Sequence, residues 1–310
     1  MSFTREILSP VTTAGIMYPA LHTQVVRVAM PNMVARQFLI PWTLTASNSV
    51  TIPKEQGSAG AVINELAEGQ EIILDVTPYT SVNVVPKKIG HGFIITKETI
   101  EDALIPVQQL QLTRAALRAA NKIDQDCITT INAGVAHSVT ASGKSLGFNG
   151  QEFVVSGSAG PGLGIYDLAD AIGKVEHFNY IPDTLLMNPV NKAQVARLPQ
   201  FHALEYYGKP ILQEGMLAKP GAFGELMGLT AYCSYNCPSG SAYVLATGQT
   251  ANLLGAYSPL GFFVERRPLT TEIKALPERD GLAVYITARY APVIIKGEAG
   301  CKITGMSNAI

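Results

Sequence analysis

Residues 106–132 read PVQQLQLTRAALRAANKIDQDCITTIN and form the longest helical pattern in the sequence. Pro106 suits the first turn of a helix and Gly134 suits its end, so the pattern predicts a helix between them. At 100° per residue one apolar stripe falls within an arc of roughly 100°. Its members are Leu110, Leu117, Ala120, Cys127, Ile128 and Ile131. A helix of about 25 residues spans about 40 Å and would act as a structural beam.

An adjacent face of this helix is basic, because Arg114, Arg118 and Lys122 follow one another at intervals of four residues. A solvated helix face is the ordinary interpretation of such a stripe. The alternative is an acidic partner, either nucleic acid or a carboxylate-bearing segment of another copy that includes Glu65, Glu68 and Glu71.

The chain before the helix is β-like and extended. Prolines at positions 10, 19, 31 and 41 indicate an extended arm over residues 1–45, with a short helix around 21–29. From residue 48 to residue 95 the pattern predicts strands. The predicted strands are Ser49–Ile52, Glu71–Thr77 and Val82–Pro86, and the loop Pro53–Gly60 follows the first of them. A short helix opened by Thr96 is predicted next. Arms of about 10–15 residues reach roughly 33–50 Å, whereas the radius of gyration of such a chain is about 20 Å. An extended β segment of that length must lie along the body of its own subunit or project onto a neighbouring subunit.

The chain after the helix alternates between helical and strand patterns. Residues 134–165 are rich in Gly and Ser and predict a hairpin or loop, with Phe148 and Phe153–Val155 as strand pieces. Asp167–Val175 predicts a helix and Thr184–Met187 a buried strand, and Asn188 is expected to cap a helix that runs from Pro189 to about Leu198. The further predicted strands are Glu225–Tyr232, Ser241–Ala246, Phe262–Arg266, Leu282–Ala288 and Pro292–Ile295.

The composition is poor in charge. The 310 residues carry 23 Lys and Arg against 24 Asp and Glu, which gives a net charge of -1. Charged residues make up 15% of the chain, where an average soluble domain has about 25%. Many exposed positions must therefore be uncharged, and coverage by other copies of the chain explains this best.

Several classes of protein are disfavoured. A dedicated nucleic-acid binder would carry a basic excess, and a disordered chain would not be 47% hydrophobic. No signal peptide is expected at the N-terminus. The charge-free run Leu226–Val264 is interrupted by Asn, Pro and Gly, so strands and turns are expected there rather than a membrane span.

Motifs for catalysis or cofactor binding are absent. Gly143-Lys144-Ser145 lacks the glycine of a phosphate-binding loop, and Ser156–Gly160 lacks the first glycine of a nucleophile elbow. Gly160–Gly164 follows no clear strand, so no dinucleotide site is expected. The histidines are not spaced as metal ligands; they are His22, His91, His137, His177 and His202. Cys127, Cys233, Cys237 and Cys301 are expected to be reduced thiols, although Cys233 and Cys237 are close enough in sequence to pair or to bind a metal. The sequence predicts no cofactor, no metal and no catalytic residue.

A set of short segments carries a family resemblance through its order and spacing. The segments are Ser49–Pro53, Ala67–Gln70, Val82–Lys88, Ile94–Asp102 with the long helix after it, Ile181–Pro189 and Ala288–Val293. From about residue 20 onward the chain resembles the major capsid proteins of tailed bacteriophages, whose Hong Kong 97 fold is shared with encapsulin shells.

The resemblance implies an α+β fold of the Hong Kong 97 type. Residues 1–45 would form the N-terminal arm, and residues 46–92 would form the E-loop, an extended β-hairpin that lies across a neighbouring subunit. Residues 93–164 and 262–310 would form the peripheral domain with residues 106–132 as its spine helix, and residues 165–261 would form the axial domain.

The resemblance also implies a function. The chain would be a non-enzymatic shell protein whose hexamers and pentamers enclose the double-stranded DNA of a tailed virus, with weak non-specific contact to that DNA. It would be located in the virion capsid, would assemble in the host cytoplasm and would not bind a membrane. Scaffolding, portal and decoration proteins would be separate chains. A covalent cross-link of the type some members form would involve Lys54 and Asn308.

The candidate interface residues are Lys54, Glu55, Glu65, Glu68, Glu71, Arg114, Arg118, Lys122, Arg266 and Arg267. Two alternatives remain at this stage. An encapsulin-type compartment would enclose a cargo enzyme instead of DNA. An oligomeric α/β hydrolase or lyase with an unrecognised site would form a small discrete oligomer instead of a shell.

Overall fold

A computed structural model describes residues 33–45, 47–55, 79–96, 98, 107–146, 151–157, 160–196, 222–248, 260–276 and 280–307. The α-helices in these ranges are α1 Val107–Gly134, α2 Ile165–Glu176 and α3 Pro189–Ala196. The first strands are β1 Ile40–Thr43, β2 Val50–Glu55, β3 Tyr79–Val84, β4 Lys87–Thr96, β5 His137–Thr140, β6 Lys144–Leu146, β7 Glu152–Val154, β8 Ser156–Gly157 and β9 Gly160–Pro161. The later strands are β10 Thr184–Met187, β11 Ala222–Leu226, β12 Leu229–Cys233, β13 Ser241–Leu245, β14 Gly261–Leu276, β15 Gly281–Ile294 and β16 Gly300–Thr304.

One sheet has four strands in the order β1-β14-β15-β4. The predicted segments Leu282–Ala288 and Pro292–Ile295 are a single strand, β15, which corrects the sequence prediction. Pro292 is tolerated because β4 pairs with β15 only as far as Tyr290, so among the described residues that side of the strand has no partner at the proline. The prediction Phe262–Arg266 is likewise too short, since β14 continues to Leu276 through two register shifts on either side of Arg267 that interrupt its alternation.

A second sheet has six strands in the order β11-β12-β10-β13-β16-β5. All four residues of the predicted strand Thr184–Met187 are buried, because this strand lies inside the sheet. The predicted strand Glu225–Tyr232 is wrong as a single element. It is a hairpin of β11 and β12, and Met227 and Gly228 at its turn both have positive φ angles.

Helix α1 is confirmed, but its predicted buried stripe is partly wrong. Leu110 is 43% exposed and Leu117 is only half-buried. The predicted residues Ala120, Cys127, Ile128 and Ile131 are buried. Five further residues of α1 that were not predicted are also buried: Leu112, Ala115, Ala116, Ala119 and Ile123. The alanines were missed because small side chains give a weak apolar signal, although they let an adjacent sheet approach the helix closely.

Helix α3 begins at Pro189 as the sequence predicts, whereas α2 begins at Ile165, two residues before the predicted start at Asp167. The Asn188 side chain accepts a hydrogen bond from the Val190 amide at 3.0 Å, which caps α3. The buried Asp167 in the first turn of α2 accepts one from the Gly164 amide at 3.0 Å and another from the Gly143 amide at 2.9 Å. This carboxylate therefore starts α2 and also holds the preceding loop.

Three other predictions have mixed outcomes. Pro53, Lys54 and Glu55 continue strand β2 instead of beginning a loop, because each pairs with a residue of β3. Thr96 is the last residue of β4 and Glu98 is helical, while the rest of the short helix predicted after Thr96 lies outside the described residues. The predicted helix around 21–29, the strand Glu71–Thr77 and Phe148 lie outside the described residues.

The core consists of two clusters. The larger one packs α1 against both sheets and contains the short 3-10 helix Ala35–Phe38 near the start of the described chain. The smaller one joins Leu44, Ile52, Val84, Val264 and Ile295. Within the described ranges no helix is both long and apolar enough to cross a bilayer, and the run Leu226–Val264 contributes strands β12 and β13.

The predicted domain boundaries divide some of these elements. Strand β4 continues across the boundary at residue 92, and strands β5 and β16 pair in the sheet that otherwise contains the predicted axial residues. The two sheets therefore do not follow the predicted domain boundaries, and the division into domains remains a prediction.

Candidate assembly surfaces

The β2–β3 hairpin is the first candidate surface. Its strands pair from Val50 opposite Val84 to Glu55 opposite Tyr79. Ile52 and Val84 are buried in the smaller core cluster, so the base of the hairpin is fixed to the outer face of the four-stranded sheet, the face opposite α1. At the far end Tyr79 is 70% exposed. The hairpin therefore has a rigid base and an end that the described body does not cover.

Two of the predicted interface residues, Lys54 and Glu55, lie at the end of strand β2. The Lys54 carbonyl accepts a hydrogen bond from the Thr80 hydroxyl at 3.2 Å, and Glu55 is the last described residue of β2. Glu65, Glu68, Glu71 and Asn308 lie outside the described residues. The Lys54–Asn308 cross-link stays a prediction.

The basic face of α1 is the second candidate surface. Arg114, Arg118 and Lys122 are all exposed. Lys122 is already neutralised, because its Nζ atom lies 2.7 Å from Asp126 Oδ1. Arg118 Nη1 lies 3.4 Å from His91 Nε2 on β4. Of the three cations only Arg114 and Arg118 lack a carboxylate partner among the described residues.

A third basic surface crosses the four-stranded sheet. Arg267 of β14 lies opposite Arg289 of β15, and Arg289 lies opposite Lys88 of β4. We call these three residues the cationic row. Arg267 and Lys88 are exposed, whereas Arg289 is half-buried and its Nε donates to the Pro86 carbonyl at 3.1 Å. The neighbouring Arg266 has a buried Nη1 with no partner among the described residues. The sequence indicated Arg266 and Arg267 but missed Lys88 and Arg289, because strand register is not visible in a sequence.

Asp124 is a buried polar residue whose structural role the sequence patterns did not indicate. Its carboxylate accepts hydrogen bonds from the Ala35 amide at 2.7 Å, the Ser234 hydroxyl at 2.6 Å and the Asn236 side chain at 2.9 Å. It thereby joins three segments: α1, the turn after β12 and the 3-10 helix Ala35–Phe38. Its position between the apolar residues Ile123 and Cys127 was the only available signal.

The cysteines are not arranged for chemistry. Cys127, Cys237 and Cys301 are buried, Cys233 is half-buried, and all four are free thiols. Burial raises the pKa of the Cys237 thiol to about 12 and that of Cys301 to about 11. A thiol that stays protonated at neutral pH is a poor nucleophile and a poor metal ligand. Among the described residues no group of His, Cys, Asp or Glu is placed to hold a metal ion.

An open groove of about 620 Å³ lies between β5 and α2. Its polar lining includes Asp170, Lys174 and His177. The Lys174 ammonium group donates to the Ser138 carbonyl at 2.7 Å, so the cation is engaged in holding α2 to β5. The groove resembles the space between two packed elements more than a catalytic cleft.

Comparisons with known proteins agree on one architecture. The family model described as phage capsid protein matches residues 79–303. A search of curated protein sequences finds no match. A virus-like particle from Pyrococcus furiosus is similar in structure with a TM-score of 0.58 and 12% identity, over 93% of this chain and 99% of that one.

Two phage structures are similar to the same extent. The capsid of cyanophage P-SCSP1u gives a TM-score of 0.60 at 11% identity over 87% of each chain. A chain of Mycobacterium phage Che8 gives 0.57 at 12% identity, over 83% of this chain and 84% of that one. At such low identity these likenesses show a common fold.

Proposed function

The chain belongs to the phage capsid protein family and is a structural major capsid protein with the Hong Kong 97-type fold, and we propose that its copies form the hexamers and pentamers of an icosahedral shell. The shell would enclose the double-stranded DNA of a tailed virus and would assemble in the host cytoplasm. The protein would act without catalysis, since its task is to bind other copies of itself.

The β2–β3 hairpin is the observation that supports this proposal most. Its base is buried in a small core of its own, whereas Tyr79 at the far end is exposed. An exposed aromatic side chain on a rigid base is well suited to an intersubunit contact, because little conformational entropy is lost on binding. We assign residues 46–92 to the E-loop, and Lys54 and Glu55 would lie near the start of its contact.

The remaining assignments follow the same scheme. Residues 1–45 would be the N-terminal arm, residues 93–164 and 262–310 the peripheral domain, and residues 165–261 the axial domain around the symmetry axes. Hairpin, arm and axial contacts would combine, because several weak contacts on one subunit reinforce one another. The near-zero net charge limits repulsion between packed copies.

Other partners would act on the inside or outside of the shell. Arg114 and Arg118 on α1 are available for weak, non-specific contact with packaged DNA, although a solvated face explains them as well. Separate scaffolding, portal and decoration proteins would complete the particle.

The similarity to the Pyrococcus furiosus virus-like particle supports one second candidate, an encapsulin-type shell around a cargo enzyme. The contents of purified particles distinguish the two functions. We expect closed particles of uniform size in negative-stain electron microscopy, elution in the void volume on size exclusion and nuclease-protected DNA inside. A co-purifying cargo protein without DNA would favour the second candidate, and a small discrete oligomer would contradict both.

The hairpin assignment is tested by shortening it. Replacement of residues 56–78 by an Asn-Gly turn joins Glu55 to Tyr79, which already pair, and should leave the base intact. We expect a folded subunit or capsomer that forms no closed shell. A matched control replaces the same residues by a Gly/Ser segment of equal length, which separates the effect of length from that of sequence. Normal shells from the shortened chain would contradict the E-loop assignment.

A further inference from the structure

The cationic row is an unusual arrangement for the surface of a sheet. Lys88, Arg289 and Arg267 occupy directly opposed positions on three neighbouring strands. Like charges in such positions destabilise a sheet unless an anion lies among them. The ion pairs found among the described residues, Arg36–Glu265 and Lys122–Asp126, do not involve this row.

The row is also far from carboxylates on its own face of the sheet. By register the next acidic residue on that face is Glu272, which lies opposite Tyr285. Tyr285 is four residues from Arg289, which corresponds to about 13 Å along the strand. Between them lie Thr287 and its partner Gly90, which carries no side chain. Among the described residues, the sheet surface beside the row therefore carries only small side chains, which leaves room for an incoming chain.

The sequence contains one segment with the complementary charge. Residues 55–86 include no Lys, Arg or His, and their acidic residues are Glu55, Glu65, Glu68, Glu71 and Asp75. Four of these five lie within residues 65–75, in the part of the E-loop beyond the paired strands. Because no cation is present in residues 55–86, any ion pair that these carboxylates form is with a residue outside this segment.

We propose that the cationic row binds the acidic segment 65–75 of a neighbouring copy. The inference rests on the proposed self-assembly and names the receptor for the E-loop. The row is a better receptor than the basic face of α1, because Asp126 already neutralises Lys122 there. The row also lies two residues along β15 from Ala291, which pairs with Val264 where the base of the subunit's own hairpin packs. Each copy would thus present its hairpin and receive another on the same face.

Charge reversal tests the contact. In K88E/R267E two exposed cations become carboxylates while Arg289, which donates to Pro86, is kept. We expect the critical concentration for shell assembly to rise about tenfold, because attraction at two exposed pairs turns into repulsion. The charge-neutral K88Q/R267Q should raise it about threefold. K144E/K274E makes the same charge change at two exposed lysines outside the candidate surfaces and should leave it within about twofold. Circular dichroism verifies that each variant is folded.

Compensating variants identify the partner. E68K/E71K alone should impair assembly as strongly as K88E/R267E, and the four substitutions together should restore it to within about threefold of wild type. In a mixture, an affinity-tagged K88E/R267E chain should also retain the E68K/E71K chain, because each chain then offers what the other lacks. Restoration by the fourfold variant without this association of the two double variants would show that the segment binds within one chain, which overturns the inference.

The remaining outcomes separate this inference from the proposed function. Normal assembly of K88E/R267E overturns the inference alone. If those shells form normally but contain less DNA, the row contacts nucleic acid and the inference is again overturned. A wild-type chain that forms no shells contradicts the proposed function and this inference with it.

Discussion

Asp124 illustrates how much one buried residue contributes to this fold. A buried carboxylate is costly unless its oxygens are hydrogen-bonded. Here one oxygen accepts from the Ala35 amide and the other from Ser234 and Asn236. The residue therefore fixes the 3-10 helix Ala35–Phe38 and the turn after β12 against α1.

Asp124→Asn should lower the stability of the fold by about 2–3 kcal/mol, because one carboxamide oxygen cannot serve donors on both sides and a buried donor loses its partner. The thermal unfolding midpoint of the purified protein measures the effect. Asp170→Asn on the exposed face of α2 is the matched control and should change little. Equal midpoints for the two variants would mean that the Asp124 contacts do not hold these segments together.

Arg36 shows a second residue-scale connection near the start of the described chain. Its guanidinium lies 3.0 Å from the Glu265 carboxylate and 4.8 Å from the centre of the Phe263 ring. Both contacts fix the segment before β1 to β14. Neither could be inferred from the sequence, since the partners are separated by more than two hundred residues.

At the scale of elements, the two turn residues of the β11–β12 hairpin differ in how well they suit a positive φ angle. Met227 has φ 50° and Gly228 has φ 82°. Two positive φ values are typical of the tight hairpin turns that favour Asn-Gly. Gly228 suits its position, whereas a methionine with positive φ is strained.

Met227→Asn should therefore stabilise the protein by about 0.5–1 kcal/mol, because Asn tolerates the left-handed region. The Met227 side chain is 42% exposed, so little apolar burial is lost. The expected rise in the unfolding midpoint is about 1–3 °C. Gly228→Ala should lower it, although a Cβ there would touch nothing, since the cost is in the backbone. A lower midpoint for Met227→Asn would refute this account of the turn.

At the scale of the whole molecule, α1 joins both sheets into one core. The Tyr290 hydroxyl of β15 donates to Asp126 at 2.8 Å, and the Tyr243 hydroxyl of β13 donates to Asn132 at 2.9 Å. The larger cluster is continuous from the four-stranded sheet through α1 to the six-stranded sheet. The described body should therefore unfold as one unit, even though two functional domains are proposed.

Ile128→Ala tests this cooperativity in the shortened-hairpin variant, which should remain unassembled. Ile128 is 2% exposed, and its truncation should cost about 2–5 kcal/mol. We expect a single calorimetric transition that moves to lower temperature as a whole. Leu110→Ala, at an exposed position of the same helix, should move it far less. Two separate transitions, only one of which shifts, would disprove the single core.

The surface of the whole molecule is consistent with coverage by other copies. Large apolar side chains are exposed on the hairpin, on the four-stranded sheet and beside the six-stranded sheet, as Tyr79, Ile94 and Tyr235 illustrate. Single exposed apolar residues are common in soluble proteins. Together with the low charge content, their spread over several elements fits a subunit that contacts several neighbours.

The sequence by itself determined the local elements and the family. The start of α3 at Asn188–Pro189, the buried strand Thr184–Met187 and the extent of α1 depend on contacts within a few residues, which periodicity and capping reveal. The order of such elements along the chain was sufficient to indicate the Hong Kong 97-type fold, since fold depends on element order more than on any one side chain.

Only the tertiary structure decided which distant residues meet. The alanine-rich buried face of α1, the partners of Asp124 and the alignment of Lys88 with Arg289 and Arg267 all depend on strand register and on helix packing. A shift of register by one residue would turn the cationic row to the other face of the sheet. Such long-range choices leave no periodic trace in the chain, because they are set by the free energy of packing between segments far apart in sequence.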